Sequence, residues 1–327
     1  MKNLITDVTG VKIGNADDAR AATGVTAILF DEPAVASIAI LGGAPGTRDT
    51  ALLEPEMTVE RVDALILSGG SAFGLDAAGG AMAALKEMGR GFPVGPVHVP
   101  IVPQAILFDL LNGGDKNWGR MPPYWELGFQ AIKAAGLDFA LGTAGAGFGA
   151  TTANLKGGLG SASAKTKSGF TIGAIVAVNA VGTATIGNGP HFWAAPYEQN
   201  TEFGGLGLPS PFPQDALELK LKGAVGENTV IAAIVTDAML TKAEAKRLAL
   251  AAHDGLARAI RPAHTPMDGD IVFAASTGKR SRSDVVTLTE LCATGADVLA
   301  RAIARGIYEA KALPFEAALP DWKTKFR

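Results

Sequence analysis

Short apolar runs that alternate with longer amphipathic segments constrain the fold of this chain more than any other feature. Long helices and buried strands together indicate a layered α/β or α+β core. The short runs are rich in valine and isoleucine, which is typical of buried strands, and cover Val25–Phe30, Ala36–Leu41, Ala64–Leu67, Ile172–Val178, Val230–Val235 and Ile271–Ala275. The other segments predict helices, over Val59–Ala64, Ala72–Met88, Thr241–Ile260 and Asp284–Ala310.

Composition narrows the class of protein. The chain has 327 residues, of which 48% are hydrophobic and 19% charged, so it has ample material for a buried core, in one large unit or two domains. A net charge of -3 with scattered Lys and Arg argues against a nucleic-acid partner. The single cysteine, Cys292, cannot form an intramolecular disulfide or a cysteine metal site, and we expect a core thiol.

The sequence contains no segment typical of secretion or membrane insertion. Its first residues lack the apolar run of a secretory signal. Gly, Asp, Lys or Pro interrupts every candidate for a membrane span. We therefore expect a soluble, cytoplasmic protein that does not interact with membranes.

The Asn228-Thr229 bond stands immediately before the apolar run Val230–Val235. Cleavage there would make Thr229 a new N-terminus, with a hydroxyl nucleophile and a free amine on one residue. The alternative is an ordinary turn that enters a strand. A second Asn-Thr pair, at Asn200 and Thr201, is followed by loop-forming residues, so only Thr229 has the rigid position that a nucleophile needs. The segment 203–228 reads as an exposed connection that ends at the proposed cut.

Glycine-rich runs resemble two familiar motifs without their required context. The run Gly69–Phe73 lacks the second glycine of a nucleophile elbow at Ser71. The run Gly145–Ala150 resembles a dinucleotide fingerprint, but no helix start or ribose-binding acid follows it. His264 lies near Asp268, yet His98, His191 and His253 have no metal-ligand spacing with it. We expect a structural histidine there, and neither a metal nor a cofactor.

Six motifs follow one another along the chain, and motifs in a fixed order are far more specific than any single one. They are Leu41–Arg48, Leu67–Ala77, Val99–Pro103, Lys156–Gly160, Asn228-Thr229 and Met267–Asp270. This order resembles that of the DmpA-type L-aminopeptidase/D-esterase family, which includes the nylon-oligomer hydrolases. The match spans nearly the whole chain, and the second half is most similar to the nylon-oligomer branch.

This resemblance implies an α+β fold, a four-layer αββα sandwich of the DmpA and ornithine acetyltransferase type. It implies one autoprocessed hydrolase domain, residues 1–327, cut into an alpha chain 1–228 and a beta chain 229–327 that form a homo-oligomer, a tetramer of processed protomers. Thr229 matches the family's nucleophile and Asn228 the acyl side of the cut bond. Asn179, Lys156, Asp268 and Asp270 match its other site residues. Phe108 stands where nylon-oligomer hydrolases carry Tyr, so a hydroxyl contact to substrate is missing.

Chemistry gives each of these residues a role. A free α-amine titrates near pH ~7.7 to 8.0, so Thr229 could activate its own hydroxyl at neutral pH. Asn179 could stabilise an oxyanion, Lys156 could depress the proton affinity of the amine, and Asp268 and Asp270 could orient the ammonium or hydroxyl. Each also has a plain structural alternative: a strand end for Asn179, a solvated loop charge for Lys156, and an ordinary turn for Asp268 and Asp270.

Three functions from different classes remain open. The first is a self-processing amide hydrolase, aminopeptidase or esterase that acts on short peptides, peptide amides or oligoamides such as 6-aminohexanoate oligomers. The second is an acyltransferase of the ornithine acetyltransferase type, which uses the same kind of autoprocessed threonine. The third is a noncatalytic scaffold that is never cut.

Overall fold

The computed structural model describes residues 1–223, 228–281 and 284–327. Within these residues the chain forms eleven strands and five α-helices. The strands are β1 (Val11–Asp18), β2 (Thr23–Ile40), β3 (Thr47–Arg48), β4 (Arg61–Ser68), β5 (Phe92–Val94), β6 (Val97–Val99), β7 (Gln104–Ile106), β8 (Gly158–Lys165), β9 (Thr171–Asn179), β10 (Thr229–Ala238) and β11 (Ile271–Arg280). The helices are α1 (Ala77–Glu87), α2 (Tyr124–Lys133), α3 (Lys242–Ala259), α4 (Val285–Tyr308) and α5 (Trp322–Phe326).

The long strand β2 connects two groups of strands, β1, β3, β4 and β7 on one side and β8 to β11 on the other. Among the described residues, eight strands pair in the order β3-β7-β4-β2-β11-β10-β9-β8, and β1, the ninth strand of the sheet, pairs with β2. The first part of β2 pairs with β1 and β4, and its last part pairs with β11. On the other side of β11, β10 lies parallel to it and antiparallel to β9. The strand that begins with Thr229 therefore has a neighbour on each side.

Alternating side chains of these strands produce three apolar layers, because successive residues of a strand point to opposite faces. One face of β9, β10 and β11 packs on α3 and α4, through residues such as Val176, Ala232 and Leu248. Their other face meets the inner face of β1, β2 and β4, for example through Ile175 and Phe273. The outer face of β1, β2 and β4 packs on α1 and α2. The order helix, sheet, sheet, helix confirms the predicted α+β four-layer αββα sandwich.

One prediction of secondary structure was wrong and one was right in type but not in extent. The runs Val25–Phe30 and Ala36–Leu41 were predicted as two strands, but the structure has one 18-residue strand, β2, which ends at Ile40 and whose register against β4 shifts between Leu29 and Ala34. Pro33 lies in the exposed part of this irregularity, and it cannot donate a ladder hydrogen bond, so the sequence suggested a break. The segment predicted as a helix at Val59–Ala64 instead enters β4, a strand whose residues after Arg61 are all buried.

The predicted helix starts are confirmed at α3 and α4. Thr241 and Glu244 form the expected capping box, and the Asp284 side chain accepts from the Thr287 amide. Residues 203–223 of the predicted connection contain no helix or strand, while 224–227 lie outside the described residues. No helix in the described parts of the chain combines the length and the apolar character needed to cross a membrane.

Candidate active site

Thr229 is the first residue of β10 and is held from both sides. It pairs with Asn179, the last residue of β9, and the preceding residue, Asn228, forms a parallel bridge with Asp268. Only 5% of Thr229 is exposed. Sheet pairing on two sides fixes the direction of its side chain, which a nucleophile requires.

Two donors converge on the carbonyl oxygen of Asn228. The Thr229 hydroxyl donates to it, and the Gly269 amide donates to it over 3.0 Å. Within the described part of the chain, neither polar atom of the buried Asn228 side chain has a hydrogen-bond partner. The Thr229 hydroxyl thus lies beside the Asn228 carbonyl, which is the group it would attack to cut the chain before Thr229. The Gly269 amide already polarises that carbonyl.

The two aspartates lie in a turn that is fixed by the glycine-rich segment after β2. The amide of Ala44 donates to the Asp268 carbonyl over 2.8 Å, and the amide of Leu41 donates to the Asp270 carbonyl over 3.1 Å. Asp270 Oδ1 accepts from the Val230 amide over 3.0 Å. Burial raises the pKa of Asp268, and the nearby charge of Asp270 raises it further. The structure brings Asp270 to the start of β10 through its carboxylate, and Asp268 through its backbone bridge to Asn228.

Asn179 connects Thr229 to the neighbouring loops. Its Oδ1 accepts from the Thr151 amide over 3.0 Å and from Lys222 Nζ over 2.8 Å. Its Nδ2 donates to the Phe108 carbonyl over 2.9 Å. Asn179 does end strand β9, as the structural alternative required, but its side chain is fully buried and has a fixed orientation.

Lys156 is a buried lysine that donates to carbonyl oxygens. Its Nζ bonds Gly147, Ala150 and Gly157 at 3.1, 2.8 and 2.8 Å. Burial lowers the pKa of Lys156 to about 7; the carboxylate of Asp109 opposes this effect and the charge of Lys222 adds to it. The amino group is therefore near the midpoint of its titration at neutral pH. Lys156 lies close to Asn179, because Thr151 pairs with Lys156 and the Thr151 amide donates to the Asn179 side chain.

A cavity of about 220 Å³ opens next to Asn179 and Lys156. Asp109, Asn112, Thr151, Lys156 and Lys222 supply polar groups to its lining, and Lys222 also contacts Asn179. The remaining wall is largely apolar. Its apolar side chains come from two loops and are Phe108, Leu111, Leu313, Phe315 and Leu319. Such a cavity can hold an apolar or chain-like group beside a polar reaction centre.

Three site residues were missed by the sequence analysis. Gly269 lies inside the Met267–Asp270 motif but was given no role, and Lys222 stands in none of the six motifs. His264, assigned a structural role, bonds Asp270 Oδ2 through both its amide and its ring Nδ1, each at 2.9 Å. Its position just before the Met267–Asp270 motif was the only available signal. In the described part of the chain no three His, Cys, Asp or Glu side chains gather as a metal site would require.

The four-layer sandwich is also found in solved structures, one of which is described as a variant of the N-terminal-nucleophile (Ntn) hydrolase fold. The L-aminopeptidase/D-Ala-esterase/amidase of Ochrobactrum anthropi superposes with a TM-score of 0.71 at 21% identity, covering 98% of this chain and 90% of that one. A Burkholderia sp. β-aminopeptidase superposes with a TM-score of 0.70, also at 21% identity, covering 99% and 92%.

The chain belongs to peptidase family S58, the DmpA family, whose model matches residues 3–318. It is 41% identical over 348 residues to an uncharacterized aminopeptidase of Mycobacterium tuberculosis, covering 99% of this chain and 98% of the relative. It is 29% identical over 279 residues to a 6-aminohexanoate-oligomer endohydrolase of Kocuria sp., covering 83% and 74%. The protein is therefore a hydrolase that acts on amide bonds.

Proposed function

We propose that the protein is a self-cleaving threonine hydrolase in which Thr229 is the nucleophile. The observation that supports this most strongly is the pair of donors on the Asn228 carbonyl, the Thr229 hydroxyl and the Gly269 amide. A nucleophile and an oxyanion donor aimed at one carbonyl are what acyl transfer needs. The single domain 1–327 would become an alpha chain 1–228 and a beta chain 229–327.

Self-cleavage proceeds by an acyl shift. Thr229 Oγ attacks the Asn228 carbonyl carbon, and the oxygen takes up negative charge beside the Gly269 amide. The C–N bond breaks, the nitrogen takes the hydroxyl proton, and Asn228 is left as an ester on Thr229 Oγ. Water then hydrolyses this ester, which releases the Asn228 carboxylate and restores the hydroxyl beside a free α-amine.

The matured site repeats this chemistry on a substrate. The Thr229 amine accepts the proton of its own hydroxyl as Oγ attacks a substrate amide, and the same proton goes to the leaving amine. Water hydrolyses the acyl-enzyme. In this scheme the Asn179 side chain stabilises the oxyanion, and removal of such a donor typically raises the barrier by ~2.7 to 4 kcal/mol.

Lys156, Asp268 and Asp270 set the electrostatics of the new amine. A charged Lys156, which is linked to Thr229 through Thr151 and Asn179, disfavours an ammonium at Thr229 and so keeps the amine available as a base. Asp268 and Asp270, at the start of β10, orient the amine and hydroxyl. The buried position of all three residues strengthens these effects, since charges interact more strongly away from water.

The substrate class is short peptides, peptide amides or oligoamides of the 6-aminohexanoate type. The apolar wall of the cavity suits an extended methylene or side-chain group, and the lack of a hydroxyl at Phe108 leaves that wall apolar. The names of the relatives, aminopeptidase and 6-aminohexanoate-oligomer endohydrolase, support the same class. The processed protomers assemble as a homo-oligomer, a tetramer on the family resemblance.

Intact-mass measurement of three proteins tests the proposal. Purified wild type should give two chains, cut between Asn228 and Thr229. Thr229→Ala should give one uncut and inactive chain, and Thr229→Ser should give two chains with residual activity. A cut or active Thr229→Ala protein refutes the proposal. Hydrolysis of p-nitroanilides, peptides and aminohexanoate oligomers, measured beside acyl transfer to added amines, separates a hydrolase from an acyltransferase.

A further inference from the structure

A buried chain of polar groups leads away from the first peptide group of β10. The Val230 amide donates to Asp270 Oδ1 over 3.0 Å. The other oxygen, Oδ2, accepts from the His264 amide and from His264 Nδ1, each over 2.9 Å. Both oxygens of one carboxylate are therefore engaged, one by the residue after the nucleophile and one by His264.

Burial and backbone conformation fix the contact between His264 and Asp270. The Asp270 side chain is 2% exposed and that of His264 is 22% exposed. His264 adopts φ +58, a left-handed conformation that a non-glycine residue adopts at some energetic cost. This conformation lets its amide and its ring reach the same oxygen. Two donors from one residue fix the carboxylate more firmly than either would alone.

A second histidine determines which ring carries charge. The ring of His253, on α3, packs edge-on against that of His264 with centroids 4.8 Å apart. Burial lowers the pKa of His253 to about 4, against the opposing effect of its bond to the Ala39 carbonyl, and the charge of His264 adds to the lowering. Two adjacent rings cannot both be charged without repulsion. A neutral His253 leaves His264 as the ring that binds the proton.

The carboxylates favour the proton on His264. Burial opposes its charged form, but the hydrogen bond and charge of Asp270, the backbone carbonyl of His253 and the charge of Asp268 outweigh burial and raise the pKa of His264 above 6.5. In the described residues, the titratable groups that act on this ring are thus Asp268 and Asp270 from its own loop and His253 from α3.

We propose that His264 is a positioning residue for the reaction at Thr229. It aligns Asp270, which in turn fixes the peptide group between Thr229 and Val230, so the hydroxyl and the new amine keep their direction. The inference rests on the proposed role of Thr229 and adds a residue that touches neither substrate nor the reacting atoms. A protonated ring donates more strongly than a neutral one, so alignment weakens when the ring loses its proton.

Matched variants separate alignment from mere packing. His264→Asn keeps a donor near the place of Nδ1, and asparagine tolerates the left-handed conformation. His264→Ala removes the donor. His191→Asn is the control, since the His191 ring bonds the Gly207 carbonyl instead of a site residue. Each is matured and assayed for kcat and KM on one p-nitroanilide from about pH 5 to about pH 9, the range over which a histidine titrates.

We expect His264→Ala to lower kcat by about 10- to 100-fold, the range for loss of a hydrogen bond to a charged group. KM should change little because His264 does not line the cavity. His264→Asn should recover most of kcat. In every variant kcat should rise with pH as the Thr229 amine becomes a free base. Divided by the profile of His264→Asn, the kcat of wild type and of His191→Asn should step down to a lower plateau as pH rises through the pKa of His264, since the neutral ring still donates.

Three results would overturn the inference: full kcat in His264→Ala, no recovery in His264→Asn, or loss of the pH step in His191→Asn. If His264→Ala fails to fold, histidine NMR of the uncut Thr229→Ala chain decides, because a His264 pKa below 6.5 contradicts the pairing with Asp270. The proposed function fails separately, through cleavage of Thr229→Ala, so the two failures are distinguishable.

Discussion

At the scale of single residues, the absence of a side chain at Gly269 shapes the site. A Cβ built on Gly269 would lie 2.7 Å from Thr229 Oγ and 2.7 Å from the Ala44 carbonyl oxygen. These separations are shorter than van der Waals contact, and the carbonyl belongs to the backbone segment that fixes the turn. The residue that donates to the Asn228 carbonyl must therefore be a glycine for the nucleophile to fit beside it.

Gly269→Ala should slow self-cleavage by about 100-fold, because displacement of a reacting group by about 1 Å has an effect of this size. The amide donor remains, so the loss reports the position of Thr229 rather than the hydrogen bond. The rate is read from a time course on denaturing gels after synthesis of the precursor in a cell-free system.

Gly136→Ala is the control for this experiment. A Cβ there has its nearest neighbour at 3.9 Å, so cleavage should proceed as in wild type. If Gly269→Ala were cut at the wild-type rate, the nucleophile would not occupy the position described for it.

The sequence predicted residues that carry a motif and missed those whose role depends on a contact. Thr229, Asp268 and Asp270 stand in motifs of recognisable order, and Asn179 was matched through the family resemblance. The fold gathers these residues at one end of β10. His264 was set aside because its spacing excluded a metal, yet its partner is a carboxylate six residues ahead, within reach only through a left-handed turn. Lys222 reaches Asn179 from 43 positions away, a pairing that no local pattern reveals.

At the scale of elements, local patterns succeeded at helix ends and failed where tertiary burial decides. The helix starts predicted at Thr241 and Asp284 agree with the structure, because each is fixed by a cap, which is a contact within four residues. The run around Ala64 became a strand throughout, since β4 is buried between β2 and β7. The six-residue segment Val59–Ala64 is too short to establish a period, and its neighbours in the sheet determine its structure.

The cap of α3 gives a prediction about stability alone. Thr241 Oγ1 accepts from the Glu244 amide over 3.3 Å, and Glu244 Oε2 accepts from the Thr241 amide over 2.9 Å. Thr241→Ala should lower the free energy of unfolding by about 1 kcal/mol, measured by urea denaturation in the uncut Thr229→Ala background.

Thr241→Ser retains the hydroxyl and should stay close to the parent. The matured Thr241→Ala enzyme should keep its kcat, because the cap lies outside the site. A fall in kcat with unchanged stability would show that Thr241 does more than cap the start of α3.

At the scale of the whole molecule, the proposed cut would pass through the middle of the sandwich rather than between two bodies. Residues 229–327 carry β10 and β11, which lie between β9 and β2 of the other piece. The register along β10 and β9 runs from Thr229 and Asn179 to Thr236 and Ile172. On the far side, β11 pairs with β2 from Ile271 and Ile40 to Ser276 and Val35. Each piece therefore completes the sheet of the other.

The two chains should consequently remain associated after the cut and separate only on denaturation. Separation would break both ladders and expose the apolar layer between the sheets, where Ile231, Phe273 and Ile175 are fully buried. Exposure of such area is unfavourable by roughly 25 cal/mol per Å², far more than the chain ends gain in freedom. Size-exclusion chromatography of matured wild type should give the elution volume of uncut Thr229→Ala, with both fragments in one peak. Fragments that elute apart without denaturant would mean that β10 is not held between β9 and β11 in solution, and the rigid start of that strand, on which the nucleophile depends, would be lost with it.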